Sequence, residues 1–281
     1  MLLPRFEYSA ARTVEEALSL RAESPGAAYL AGGTDLLPQM RIGKRDPGRL
    51  IDIKRIEELA SIRERTDGAL AIGAAAPLAA IAANPLVRER YPLLAECCRR
   101  VGAWPLQNRA TMAGNICNAS PAADTAVALL ALDAAVNARG PDVSRTIPIT
   151  DFFTGPGQTS LLPGELVTEI VLPSASAGRR GTYLRLSRRR GMDLATVGVL
   201  VARSNGKNPG GHRVALASVA PTPLRVRESE ACLDREGPAA AARAAEIARE
   251  ACRPITDIRG TAAYRREMVG VLVRRAAAAL I

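Results

Sequence analysis

Histidine is almost missing from this sequence: His212 stands alone. A Ser-His-Asp hydrolase would have to place its base there, in Asn208-Pro209-Gly210-Gly211-His212, with no supporting motif around it, and zinc chemistry that needs several imidazoles is excluded. Five cysteines, Cys97, Cys98, Cys117, Cys232 and Cys252, show neither C-x-x-C spacing nor the close grouping of an iron–sulfur ligand set. Their odd number suits free thiols rather than disulfides. Any redox work of this chain therefore falls to an organic cofactor.

Long apolar runs are missing too. None approaches the roughly 18 to 20 residues that span a bilayer. Met1 to Arg12 lacks the basic, apolar and small-residue stages of a signal peptide, so a cytoplasmic protein is expected. Lysine is scarce, since Lys44, Lys54 and Lys207 are the only three among 38 basic residues. The formal net charge of +10 is thus carried by arginine, and with abundant alanine this follows GC-rich coding rather than a selected binding face. The arginines are spread along the chain, with one dense run, Arg188-Arg189-Arg190, and no interleaved aromatics to stack bases. Nucleic-acid binding is not expected, and the excess charge suits an acidic partner subunit or an anionic ligand.

At 281 residues the chain can bury a substantial core, as one large domain or two of ordinary size. Thr13-Val14-Glu15-Glu16 reads as a capping box, with Thr13 serving early N–H groups, Glu16 reaching back, and Ala17, Leu18 and Leu20 continuing the helix. Strands are expected over 27–30, 50–53 and 69–74, and Pro77 suits a helix N1 position. A first α/β lobe covers 1–55 and a second 56–175, the latter with helices over 91–100 and 124–132 and strands over 134–138, 146–149 and 165–172. The segment 173–181 is the linker candidate. Beyond it, 181–281 reads as an α+β module: strands over 182–186, 195–202 and 213–219, the last two turning at 205–211, then helices over 237–252 and 261–279. Trp104, beside Pro105, reads as a packing residue.

Two turns rich in small residues carry the chemistry. Ala31-Gly32-Gly33-Thr34-Asp35-Leu36 follows a strand directly, and Thr111-Met112-Ala113-Gly114-Asn115 lies far downstream with Asp124 shortly after. Adjacent glycines let backbone N–H groups converge on phosphate oxygens, and Thr34 and Thr111 add hydroxyl donors. On their own such loops serve any nucleotide. The first is not G-x-G-x-x-G opening a long helix, so it fails the dinucleotide fingerprint of nicotinamide enzymes. Asp124 suits either an N-cap or an acceptor for ribose or ribityl hydroxyls, and both roles are compatible.

The stretches Tyr29-Leu30-Ala31-Gly32-Gly33-Thr34-Asp35-Leu36, Thr111 to Asp124 and Tyr183 to Ala195 resemble the FAD-binding medium subunit of the molybdenum hydroxylases, the xanthine dehydrogenase and aerobic carbon monoxide dehydrogenase family. The likeness spans nearly the whole chain. It implies an α+β fold: a two-lobed FAD-binding domain of the vanillyl-alcohol-oxidase (PCMH) type, plus a small C-terminal domain with a three-stranded antiparallel sheet and helices. The two loops would then hold FAD, Asp124 matches an FAD-contacting aspartate, and Val101 and Val167 fall where apolar residues touch the cofactor. Arg185 occupies the place of a lysine near the flavin in some members, which keeps the charge and changes its geometry. Ala113 stands where the family usually has the first of two glycines, and the four-cysteine insertion of the hydroxybenzoyl-coenzyme A reductases is absent.

The resemblance further implies an electron-transfer role without catalytic acid–base residues in this chain. The partners would be a molybdenum-cofactor large subunit and a two-cluster [2Fe–2S] small subunit, assembled as a dimer of heterotrimers. FAD would convert between one-electron clusters and a two-electron acceptor. A self-contained flavin oxidase of the same superfamily is the alternative, although such enzymes carry a longer substrate domain with His or Tyr near the flavin. A basic nucleic-acid-binding protein is supported by charge alone.

Overall fold

A computed structural model describes residues 2–189, 191–205 and 211–280. The expected turn over 205–211 falls mostly on 206–210, which with Arg190 lie outside the described residues.

The N-terminal sheet is parallel, with Arg49–Asp52 between Glu7–Ala10 and Ala28–Leu30. Leu50 and Ile51 bury both faces of the central strand, as a parallel sheet with a crossover helix requires. That helix, Val14–Glu23, starts as anticipated: the Thr13 hydroxyl oxygen accepts from the Glu16 N–H at 3.1 Å, while Glu16 reaches the N–H of Arg12 at 2.7 Å. The strand Glu7–Ala10 was not anticipated, because Glu-Tyr-Ser-Ala has no apolar alternation and is strand only through its pairing with Arg49–Asp52. Leu36–Arg41 is a helix despite Pro38, which sits in the first turn where its missing N–H has no intrahelical partner to lose.

The second sheet is antiparallel, in the order Ile62–Glu64, Leu70–Gly73, Leu166–Leu172, Ala135–Arg139, Ser144–Pro148. The helices Leu78–Ala83, Pro92–Arg100 and Asp124–Ala131 share one large core with it. Pro77 caps its helix rather than opening it. Instead of a loop, Met112–Cys117 is a short helix, capped by the Thr111 hydroxyl oxygen, which accepts from the Gly114 N–H at 3.0 Å.

The C-terminal sheet runs Arg180–Leu186, Val197–Arg203, His212–Ala217, with the two-residue strand Leu224–Arg225 added at its edge. Alternation along the strands divides its buried side chains between two cores. Val197, Val199, Val201, Val214 and Leu216 join the helices Arg227–Glu236, Ala241–Ala251 and Ala262–Ala278, whereas Tyr183, Leu200, Ala202, Ala215 and Ala217 join the large core beneath the second sheet. Arg227–Glu236 was not anticipated; its charged sequence buries only a few side chains, Cys232 and Leu233 among them. The segment 173–181 is packed rather than free, with Ser176 and Arg179 buried and the Gly178 N–H donating to the Arg90 carbonyl at 2.6 Å. Among the described residues no helix is long and apolar enough to cross a membrane.

Candidate functional site

Both small-residue turns open on one cleft of about 470 Å³, within the range of ligand pockets. Every residue of the first turn lines it: Tyr29, Leu30, Ala31, Gly32, Gly33, Thr34, Asp35 and Leu36. From the second turn come Thr111, Gly114 and Asn115, joined by Val101 and Asp124. Four residues singled out from the sequence do not line it. Met112 and Ala113 turn into the large core, and Val167 is buried there too, beside a bulge that shifts its strand's register between Val167 and Glu169. Arg185 stands behind the cleft, one-tenth exposed, against Asp124.

The turns meet backbone to backbone. A Cβ on Gly32 would fall 2.2 Å from the Arg109 carbonyl oxygen and 2.8 Å from the Ala110 Cα. Gly33 adopts φ +74°, and its carbonyl accepts from the Leu37 N–H at 3.1 Å, opening the helix Leu36–Arg41. Gln39 on that helix donates through Nε2 to Asn118 Oδ1 at 2.9 Å, tying the lobes across the cleft. Tyr29 donates its hydroxyl to the Gly164 carbonyl at 2.9 Å, and burial pushes that hydroxyl up to about 12. Among the described residues the Thr34 hydroxyl has no protein partner, and it lines the cleft. Asn115 is fixed by the Thr125 hydroxyl, which donates to its Oδ1 at 2.6 Å.

Asp124 is the most deeply buried charged residue of the wall, 6% exposed at the first position of the helix Asp124–Ala131, where a carboxylate favours the free N–H groups. Its side chain makes no cap bond; the N-cap is Ala123. Tyr183 donates to Asp124 Oδ1 at 2.5 Å, and Arg185 Nε lies 3.0 Å from the same oxygen. Burial raises the Asp124 carboxyl above its ordinary range, against the opposing pull of the Arg185 charge and the Tyr183 hydroxyl.

The cleft also holds residues with little signal in the sequence. Gln39, Arg45, Gly102, Leu106, Cys117, Asn118, Ser120, Ala122 and Ala123 contribute to its lining, as do Arg189, Met192, Asp193 and Leu194 of the C-terminal domain. Several lie inside the stretches that carry the family resemblance, but Arg45 is brought in only by the fold. Of the arginine run, Arg188 pairs with Asp193 at 3.5 Å and Arg189 donates to the Met192 carbonyl, so both fold back on this loop. Trp104, expected to pack, is 64% exposed. Four cysteines are buried, and burial pushes the Cys98 and Cys117 thiols up to about 12, far from nucleophile chemistry. No cluster of metal-ligating side chains occurs among the described residues.

Comparison with known proteins agrees with this geometry. Residues 4–175 match the FAD binding domain in molybdopterin dehydrogenase, and residues 182–280 the CO dehydrogenase flavoprotein C-terminal domain. The carbon monoxide dehydrogenase medium chain of Hydrogenophaga pseudoflava is 37% identical over 280 residues, which cover 98% of this chain and 97% of that protein. The xanthine dehydrogenase FAD-binding subunit of Escherichia coli O157:H7 is 32% identical over 225 residues, 79% of this chain and 77% of its own length. A solved structure of the Hydrogenophaga pseudoflava carbon monoxide dehydrogenase, lacking the Mo-pyranopterin moiety, superposes with a TM-score of 0.93 at 38% identity, covering 100% of this chain and 99% of that one. The cleft between two backbone turns, the C-terminal sheet packed beside it and these matches make one assignment: the chain belongs to the family of FAD-binding oxidoreductase subunits of the molybdenum hydroxylases.

Proposed function

We propose that this chain is the electron-transferring FAD subunit of a heteromeric molybdenum hydroxylase, taking electrons from the [2Fe–2S] clusters of a small partner subunit and delivering them to an external acceptor. The observation that carries the reading is the closure of Tyr29–Leu36 and the Thr111–Asn115 turn on one cleft, with Gly32 meeting the Arg109-Ala110 backbone that leads into the second turn too closely for any side chain.

The residues present fit FAD. The backbone of Ala31, Gly32, Gly33 and Thr34 and the Thr34 hydroxyl would hold one part of the pyrophosphate, and Thr111, Gly114 and Asn115 the other. Asp124 keeps its Oδ2 without a hydrogen-bond partner among the described residues and would accept from a cofactor hydroxyl or N–H. Val101 and Leu106 offer apolar contact to the ring system. Met112, Ala113 and Val167 would act one layer back, by packing. Bound FAD accepts electrons singly and releases them in pairs, the conversion that links one-electron clusters to a two-electron acceptor. This chain's own part is to bind, orient and shield, and to set the charge around the cofactor. The substrate would be oxidised at the molybdenum centre of the large partner.

The test is to purify the chain alone and with its partner subunits. The expected protein is yellow, carries one FAD, turns over no substrate alone, and is reduced by substrate once the partners are present. A colourless protein that takes up no FAD would sink the reading. A yellow protein reduced directly by a small alcohol would move it to the self-contained oxidases.

A further inference from the structure

Asp124, in the wall of the cleft, is held by side chains of the C-terminal domain. Tyr183 and Arg185, both on the strand Arg180–Leu186, converge on Oδ1 alone, at 2.5 and 3.0 Å. Arg185 also donates through Nη2 to the carbonyl of Asp193, whose loop lines the cleft. Oδ2 is left for a ligand. Tyr183 is itself held in place: it is 3% exposed, and Gly198 on the neighbouring strand makes room for it, since a Cβ there would come within 2.8 Å of its hydroxyl.

The electrostatics fit a fixed donor. Burial, together with the Asp124 charge, pushes the Tyr183 hydroxyl well above its ordinary range, so it stays protonated and donates. Cys97 and Arg100, on the helix Pro92–Arg100, are the further titratable or charged groups that act on Asp124, and Asp35, Arg45, Arg189 and Asp193 line the cleft.

Resting on the FAD reading above, we propose that Tyr183 is a positioning residue that tunes the bound flavin from the neighbouring domain, by fixing Asp124 as a carboxylate with its second oxygen toward the cofactor. A fixed negative charge beside a group that gains electrons disfavours its reduction. Removing the Tyr183 donor favours the neutral acid in a buried site and so raises the flavin's midpoint potential. The role belongs to Tyr183 rather than to packing, because Tyr183→Phe keeps the ring and deletes only the O–H.

The experiment measures midpoint potentials by dye-equilibrated reduction of the full FAD-loaded chain, for wild type, Tyr183→Phe, Asp124→Asn and the double variant. Each single variant is expected to favour reduction by about tenfold, an upward shift of ~30 mV for a two-electron couple. The double variant is expected to add nothing to Asp124→Asn, since both changes act through one carboxylate. A flavin-loaded Tyr183→Phe at wild-type potential overturns the proposal, as does a double variant whose shift is the sum of the singles. Should Tyr183→Phe not fold, Asp124→Asn decides: an unchanged potential overturns it. Wild-type protein that takes up no FAD overturns the FAD reading as well, a separate outcome from an unmoved potential.

Discussion

The Arg109 carbonyl oxygen stands 2.2 Å from where a Cβ on Gly32 would be. No real Cβ contact is that short, and the obstacle is backbone, which cannot swing aside. Gly32→Ala therefore has to push the first turn away from the second, at a cost in the range of about 1–3 kcal/mol for overpacking. The opening falls where both turns would share the pyrophosphate. We expect Gly32→Ala to purify with little or no FAD. Gly33→Ala is expected to be milder, because its φ of +74° costs an L-residue about 1–2 kcal/mol while its near neighbours are the flexible ends of Leu30 and Leu37. Flavin-to-protein ratios after gel filtration rank the two; equal, full occupancy contradicts the close-approach argument.

Thr111 makes a second, graded prediction. Its hydroxyl oxygen caps Met112–Cys117 through the Gly114 N–H at 3.0 Å. Thr111→Ala removes the cap at about 1 kcal/mol, and Thr111→Ser restores most of it. Thr111, Gly114 and Asn115 line the cleft and are held in place by this cap, so FAD affinity is expected to fall with it and return with serine. Titration of apoprotein with FAD checks the order, and an alanine variant that binds as tightly as wild type refutes it.

Local signals in the sequence carried the parts of the fold that are held locally. The Thr13 box, the valine-rich strands of the C-terminal sheet and the Gly32-Gly33 turn each depend on residues within a few positions of one another. What the sequence hid depends on distant partners. Glu7–Ala10 is a strand because Arg49–Asp52 lies beside it, and Arg45 reaches the cleft only because its loop folds back. Met112–Cys117 was obscured by Gly114 and Asn115, poor helix formers whose helix is set by the Thr111 cap. The Tyr183 to Asp124 bond joins residues 59 positions apart on two domains, and no periodicity encodes it. Arg185, which the resemblance places near the flavin, does not line the cleft and spends its charge on Asp124.

Acid should destabilise the protein through Asp257. Partial burial pushes this carboxyl up, but hydrogen bonds from Arg259 and the charges of Arg259 and Arg265 outweigh it and hold it at about 2, below its ordinary 3.8. A depressed carboxylate contributes stability above its unfolded value, and that contribution is lost as pH falls toward the folded value. Glu165, held down by Arg145, and Asp133, where the charges of Arg225 and Arg213 outweigh burial, act in the same direction. Asp124 acts oppositely, since its raised carboxyl is relieved by protonation. The melting temperature is expected to drop between about pH 4 and pH 2, and to drop less steeply in Asp257→Asn. Parallel curves for the two proteins would remove Asp257 from the account.

Arg265 is the buried arginine that shares that carboxylate with Arg259. It is 2% exposed and donates through Nη1 to the Thr196 carbonyl at 2.8 Å and the Ser218 carbonyl at 2.9 Å, and through Nη2 to Asp257 Oδ1 at 2.6 Å. Arg265→Met fills the space and removes all three bonds, leaving two buried carbonyls without those donors while Arg259 still holds Asp257. Each buried carbonyl left without a donor costs about 1–3 kcal/mol, and at roughly 2–4 °C per kcal/mol the melting temperature should fall on the order of 10 °C. The damage reaches the cleft: the Ser218 N–H donates to the Pro121 carbonyl at 2.7 Å, between the lining residues Ser120 and Ala122. Arg265→Met should therefore release FAD faster than wild type at temperatures where it remains folded. Calorimetry and flavin fluorescence read the two effects, and a destabilised variant that releases FAD at the wild-type rate would confine Arg265 to the C-terminal domain.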